Sequence, residues 1–468
     1  MKRTLTLCAV ALALWLGPQT ARAEEPLRLS EVLEAVDRTH PKLEGARQKV
    51  EAADGKALAA RGGFDPKLSL KTKWAPVGYY DTTQIDASIQ QATPVWGASV
   101  YAGYRFGWGN FPVYKGDLQT RNAGELRAGI DVPIWKGGPI DPRRAKIAQT
   151  KAKLRGAGAG VDTARLKLQR EAAEAYWAWV AAGRNVAIAE ELLELARARQ
   201  KALDAQVEAG AVEAIKSVDN LRLVLSREAK VVSAERKFSK AAIELSLFLR
   251  NDDLEPVRAT RKRVPVAFPE PRAVSTDELE TDVGDAVERR PEMAEIAAER
   301  EAAKVEVRLA KNQRAPDVSV QSYVARDFGD GKADLRPTEW GIGFIFSVPI
   351  PLRKARGELK AARAELSGVD AKTRGLRDKV GAEVRKAHVD LMAALRTWRL
   401  AEEQVEAAAK LADAERTRFT EGASDLVVVN LRELALADAQ TSAVSALADY
   451  HRAHADYRVA SGRSPLDR

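Results

Sequence analysis

Apolar and polar positions follow two different periods along this chain, and the places where the period changes outline its elements. From Ser30 to about Arg61, Ala and Leu recur at helical spacing among charges, with Ser30 as N-cap and Glu31 and Glu34 in the first turn. Gly62, Gly63 and Pro66 close that predicted helix. From Lys67 to Trp135 the period drops to two: Leu68, Leu70, Thr72 and Trp74 fall on one side, and Ile130, Val132 and Ile134 repeat the pattern. Pro94, Pro112, Pro133 and many glycines divide this stretch into strands and turns. From about Asp141 to Ala209 there is no proline past Pro142, and Ala, Leu, Glu, Lys, Arg and Gln dominate. A single helix of roughly 100 Å is predicted there, at about 1.5 Å per residue, with Gly156, Gly158 and Gly160 as points of bending. Gly210 marks a turn, and another helix is predicted from about Ala211 to Leu249.

The whole pattern then recurs. Pro41 and Pro66 bracket one Ala-rich charged helix and Pro291 and Pro316, at the same spacing of 25, bracket another. Further on, a shift of 212 lays Ala181-Ala182 on Ala393-Ala394, Arg184 on Arg396 and Gly210-Ala211 on Gly422-Ala423. One unit of helix, strands, helix, turn and helix has been duplicated. The first repeat is assigned to residues 24–251 and the second to 275–468, with 252–274 as linker. Pro256, Pro265, Pro269 and Pro271 stiffen that linker, and Arg258, Arg261, Lys262 and Arg263 are read as keeping it solvated. Pro316 to Pro349 spans 33 residues where Pro66 to Pro133 spans 67, so the first repeat carries an insertion of about one extra hairpin.

Composition adds a compartment. Lys2 and Arg3 precede an apolar run from Leu5 to Leu16, and Ala21-Arg22-Ala23 is a small-x-small cleavage site, so residues 1–23 read as a cleaved export signal. The only cysteine, Cys8, lies inside that run, which removes disulfide, thiolate and Cys–metal chemistry from the mature chain. The formal charge of +9 falls to +6 once Lys2, Arg3 and Arg22 leave. With acids and bases alternating, as in Glu299-Arg300-Glu301, that charge describes solvated helix faces and not a nucleic-acid surface. No stretch after residue 23 offers the 18 or so apolar residues of a membrane helix. The chain is soluble or spans as strands.

The aromatic residues favour strands that span. Trp74, Trp96, Trp108, Trp135 and Trp340, five of the nine tryptophans, fall in the strand segments with Tyr79, Tyr80, Tyr101, Tyr104 and Phe106. Such clustering fits girdles at a bilayer interface. A membrane β structure must close, because an open edge leaves backbone groups unpaired in lipid. Two core strands per repeat make four per chain, whereas the smallest bacterial barrels have about eight. Two chains would give a barrel filled by side chains; three would give twelve strands with space for a lumen.

In this order the residues resemble the TolC-like outer-membrane efflux proteins. The resemblance rests on Ser30-Glu31-Val32-Leu33-Glu34, His40-Pro41-Lys42-Leu43, Val132-Pro133-Ile134, Tyr176-Trp177 and Val207-Glu208-Ala209-Gly210-Ala211 in the first repeat. Val348-Pro349-Ile350, Glu383-Val384-Arg385-Lys386-Ala387 and Phe419-Thr420-Glu421-Gly422-Ala423 carry it in the second. It implies a mainly α fold: a homotrimer with a twelve-stranded barrel in the outer membrane, a long α-helical barrel across the periplasm and a mixed equatorial belt. It also implies a passive exit duct, opened at its periplasmic helical tip by a periplasmic adaptor (membrane fusion protein) and working with an inner-membrane pump or a type I secretion apparatus, with no enzyme activity and no cofactor. The competing reading from the residues is a periplasmic coiled-coil adaptor or scaffold without a pore.

By the same resemblance, Val207, Glu208, Ala209, Gly210 and Ala211, with Phe419, Thr420, Glu421, Gly422 and Ala423, form the periplasmic tip where an adaptor docks. Glycine at 210 and 422 also has a plain physical reason, the left-handed C-cap of a helical hairpin. Acidic residues that ring the entrance in the family are replaced here: Lys216 and Val428 stand six residues after the glycines, and Asp219 and Leu431 nine after. Lys216, Asp219, Asp425 and Asn430 are the candidate entrance gate, with Lys216 and Asp219 alternatively simple i, i+3 partners. Tyr176, Trp177 and Trp179 are read as packing between helices. His451 and His454 are read as a surface pair lacking a third metal ligand.

Overall fold

The computed structural model describes residues 25–251 and 253–466; the export signal with Cys8 lies outside the described residues. The first half contains helices α1 (Leu29–Thr39) and α2 (Pro41–Arg61), strands β1 (Lys67–Ala75), β2 (Thr82–Ala92), β3 (Ser99–Gly109) and β4 (Glu125–Pro133), and helices α3 (Pro142–Glu208) and α4 (Ala214–Ser246). The second half contains α5 (Thr276–Arg289), α6 (Pro291–Asn312), β5 (Asp317–Asp327), β6 (Glu339–Ser347), α7 (Arg353–Thr420) and α8 (Leu426–Ala460). The order helix pair, strands, long helix, helix therefore occurs twice. Among the described residues no helix is long and apolar enough to cross a membrane.

The single helix expected from Ser30 to Arg61 is two. His40 sits extended at φ −75°, ψ 123°, its Nδ1 accepts the Lys42 backbone N–H, and Pro41 opens α2. Proline has no N–H to give and pushes the preceding residue out of the helical region, so the apolar period continues while the helix stops and restarts. Arg290 and Pro291 break α5 from α6 in the same way. At Ser275 the hydroxyl accepts from Glu278 N and the Glu278 side chain accepts from Ser275 N, a reciprocal capping box.

All six strands form one antiparallel sheet in the order β1-β2-β3-β4-β5-β6. The four core strands and the expected inserted hairpin, β2–β3, make six strands in one sheet: the hairpin hydrogen-bonds to both β1 and β4 and lies within the sheet.

The chain divides into two compact units. One consists of the described residues up to Ala35 with Ala172–Pro271 and Thr397–Asp449. Its core holds Trp179, which is 0% exposed, with Val180, Val186 and Leu245. The Tyr176 hydroxyl donates to Leu27 O at 2.8 Å, and Trp177 stacks on Phe268 at 5.6 Å. Phe268 belongs to the linker, which is not merely solvated as expected: Arg263 pairs with Glu31 at 2.7 Å, and both Arg261 terminal nitrogens bind Glu190. Phe268, half-buried against Trp177, and these part-exposed ion pairs together tie the linker to the first repeat.

The other unit consists of Val36–Glu171, Arg272–Arg396 and the described residues from Tyr450 onward, and contains the whole sheet. Asp141 caps α3 by accepting from Arg143 N and Arg144 N, and Arg144 reaches back to Gly137 O and Gly138 O at 2.6 and 2.7 Å, joining the exit of β4 to the helix start. The helix runs through Gly156, Gly158 and Gly160 without interruption. At Gly156 a Cβ would stand 3.1 Å from the Ala298 methyl, so this glycine serves close packing of α3 on α6. His451 is 5% exposed and meets Tyr450 edge-on at 5.1 Å, so it is a buried ring and not one of a surface pair. A buried, ring-packed imidazole fills volume that the sequence alone assigned to solvent.

Candidate functional site

The two helical turns are built alike. Ala211 N donates to Gln206 O and Gly210 N to Val207 O, at 2.8 and 2.9 Å; Ala423 N donates to Arg418 O and Gly422 N to Phe419 O, at 2.8 and 3.0 Å. This six-to-one and five-to-two pair of bonds closes both helices. It needs a left-handed residue, and Gly210 and Gly422 have φ of 69° and 75°. A Cβ at either would meet nothing within 4 Å, so backbone conformation, not crowding, demands glycine. Glu208, Ala209 and Ala211, and Phe419, Thr420, Glu421 and Ala423, are exposed around these turns, with Val207 half-buried.

Past the turns the copies differ. Asp425 accepts from Val427 N at 3.1 Å and so caps α8, whereas its counterpart Glu213 makes no side-chain cap to α4. The longer glutamate is a poorer N-cap than aspartate. Lys216 is exposed. Asp219 pairs with Arg222 at 3.3 Å, one turn onward, and not with Lys216 as the i, i+3 alternative had it.

Of the four candidate gate residues, Asn430 alone joins a larger assembly. Its Oδ1 accepts from Arg199 of α3. Arg199 Nη2 also binds Glu433 Oε1 at 2.8 Å, Arg227 of α4 approaches Glu433 Oε2 at 3.4 Å, and Arg416 of α7 approaches Oε1 at 3.3 Å. One carboxylate, its side chain 1% exposed, thus receives guanidiniums from three other helices. Arg227 additionally donates to Leu192 O at 2.7 Å. Burial by itself would push the Glu433 carboxyl up; the hydrogen bond from Arg199 and the charges of Arg199, Arg227 and Arg416 outweigh it and hold the carboxyl below its ordinary value. The Arg227 guanidinium is lowered, by burial first, despite Glu433. Sequence reading passed over this cluster because each residue taken singly looks like a solvated helix charge. A signal was present in the spacing: Glu433 stands four residues from apolar Val429 and from apolar Ala437, both of which the fold buries.

In the sheet, register sorts the side chains into two continuous faces. One crosses Leu70, Ala87, Tyr104 and Leu126 and continues through Val324 and Trp340. Its apolar members are largely uncovered; Leu68 is 82% and Phe344 75% exposed. Trp74, Trp108 and Trp340 lie on this face near the loop end of the sheet, while Trp96 and Trp135 lie near the end joined to the helices. The opposite face is polar. Arg105 pairs with Asp86 at 3.0 Å and Glu125 at 3.7 Å, Arg127 pairs with Glu125 at 2.9 Å and covers the Tyr323 ring at 4.6 Å, and Tyr323 donates to Glu339. Among the described residues no group of three or more His, Cys, Asp or Glu could hold a metal ion.

The family model of outer membrane efflux proteins matches residues 283–463. No curated protein matches the sequence significantly. Among solved structures, the open-state MtrE outer membrane channel of Neisseria gonorrhoeae superposes with a TM-score of 0.65 at 15% identity, covering 93% of this chain and 89% of that one. The outer membrane protein VceC of Vibrio cholerae gives 0.63 at 18% identity, with 94% and 97% covered. The CmeC outer membrane channel of Campylobacter jejuni gives 0.62 at 14%, with 99% and 94% covered.

Proposed function

We propose that the chain forms the outer-membrane exit duct of a tripartite efflux or type I secretion system, a reading supported by its likeness in fold to outer-membrane channels and by the outer membrane efflux protein family's match over residues 283–463. The observation that carries this reading is the sheet with one apolar and one polar face, bounded by tryptophans toward both ends. Strands of 9 to 11 residues match the roughly 9–11 residues that a tilted strand needs to cross a bilayer. An adaptor or scaffold free in the periplasm would leave that apolar face in water. A homotrimer supplies the missing strands, and its polar faces line a lumen continued by a helical tunnel through the periplasm.

The duct does no chemistry and takes no cofactor; an inner-membrane pump supplies the energy. A periplasmic adaptor docks on the turns around Gly210 and Gly422, with Lys216, Asp219, Asp425 and Asn430 near the entrance. Docking favours an open arrangement of the tips by contacts it makes better in that state. Four strands per chain give the twelve-stranded barrel that the resemblance implies; six give eighteen, if every strand enters the wall.

Membrane fractionation and planar-bilayer recording test the reading. The expected result is a trimer that stays in outer-membrane fractions through a urea wash and conducts ions, alone or once Asp219→Ala loosens the tip. A urea-extractable, non-conducting protein would overturn it.

A further inference from the structure

On the exit-duct reading, we propose that all six strands of each copy stand in the membrane wall, so that three copies close a barrel of eighteen strands, with β1 of one copy paired to β6 of the next.

The inserted hairpin has every property of the wall. β2 and β3 each have 11 residues, and they pair along their full length. The apolar face runs through them unbroken: Leu70 of β1 stands beside Ala87, Ala87 beside Tyr104, and Tyr104 beside Leu126 of β4. On the other face, Asp86, Arg105 and Glu125 link β2, β3 and β4 by ion pairs at 3.0 and 3.7 Å. A hairpin folded away from the wall would carry Ile85 and Phe106 into water and break the pairing of β3 with β4, which spans seven positions. In lipid, backbone groups so released would find no water to bond.

The two edges point to a second copy as the occupant. β1 and β6 end the sheet, and both carry bare alternating apolar rows on the same face, Leu68 and Leu70 on one, Ile342 and Phe344 on the other. Six strands is an even number, so β6 of one copy and β1 of the next run antiparallel and continue the meander. Two glycines of the polar face are covered by a neighbouring strand's tyrosine: a Cβ at Gly129 would stand 2.6 Å from the Tyr101 ring, and one at Gly341 2.6 Å from Tyr323. Gly343, on the same face of edge strand β6, would meet nothing within 4 Å. A strand laid along that edge supplies the missing neighbour. Barrels of about 16–18 strands leave an aqueous channel, so the outer mouth is wider than a twelve-stranded one.

Cysteine substitution tests the count, since the only native cysteine lies in the export signal. In outer membranes, Ile85→Cys and Phe106→Cys on the inserted hairpin are expected to resist a water-soluble maleimide and to react with a lipid-soluble one. In separate double variants, Gly343→Cys combined with Ser69→Cys, Lys71→Cys or Lys73→Cys is expected to give oxidative cross-links between copies. Electron cryo-microscopy of the unmodified trimer in nanodiscs is expected to resolve eighteen strands. Ready water-phase labelling of the hairpin, absence of every β1–β6 cross-link, or a twelve-stranded image of an intact trimer would overturn the eighteen-strand wall while leaving the exit duct standing. A monomer released by urea would remove both.

Discussion

At Glu433, three guanidiniums from three helices depend on one carboxylate. Removing one partner of a buried ion cluster leaves uncompensated charge, with a typical cost of about 3–5 kcal/mol. Glu433→Ala is therefore expected to lower the urea stability of the helical unit by that order. Arg416→Ala should cost less than about 1 kcal/mol, because its side chain is 37% exposed and water screens its share. The carboxyl is held below its ordinary value, so its contribution is fully present above the unfolded glutamate value of about 4.3 and is lost as pH falls through the lower folded value. Urea midpoints followed from pH 7 to the acid limb should decline in the native chain and flatten in Glu433→Gln. An unchanged acid limb in that variant would show that Glu433 is not the group titrating.

Helix ends show how duplicated elements diverge at constant geometry. Gly210 and Gly422 close their helices by the same pair of backbone bonds, because a left-handed residue is required at both. The next helices start differently, with Asp425 capping α8 and Glu213 leaving α4 uncapped by a side chain. Asp425→Ala should weaken the first turn of α8 by about 1 kcal/mol, while Glu213→Ala should leave α4 nearly unchanged. Hydrogen exchange of amides in those first turns measures both. Equal protection losses would mean that the Asp425 bond contributes nothing. Such asymmetry, with Asn430 drawn into the Glu433 cluster and Lys216 left exposed, makes the two turns unequal.

For the whole molecule, the decisive property is that the sheet has one apolar and one polar face, which on the exit-duct reading meet different solvents. Ile85 and Gln84 are neighbours in β2 on opposite faces, one beside Phe106 and the other beside Gly107. If the apolar face meets lipid, Ile85→Arg should cost about 2–4 kcal/mol and reduce the yield of membrane-inserted trimer, whereas Gln84→Arg should be tolerated. Trimer yield on semi-native gels compares them. Equal yields would argue against a lipid-facing surface.

Element order, the alternation of β1 and the glycine turns were legible in the order of residues, because periodicity and left-handed backbone preference are local properties. Even so, local pattern misled at Pro41, where the apolar period continues past a break that proline imposes, whereas the helix bracketed by Pro291 starts at that proline. The joining of β4 to β5, the seating of the inserted hairpin inside one sheet and the ion-paired linker depended on partners outside their own elements. Glu433 is the sharpest case: its four-residue spacing from Val429 and Ala437 marks a buried stripe, but only folding brings Arg199, Arg227 and Arg416 to it. A side chain's period is set by its own backbone, whereas its charge partner and its strand neighbour are set by whatever the rest of the chain packs beside it.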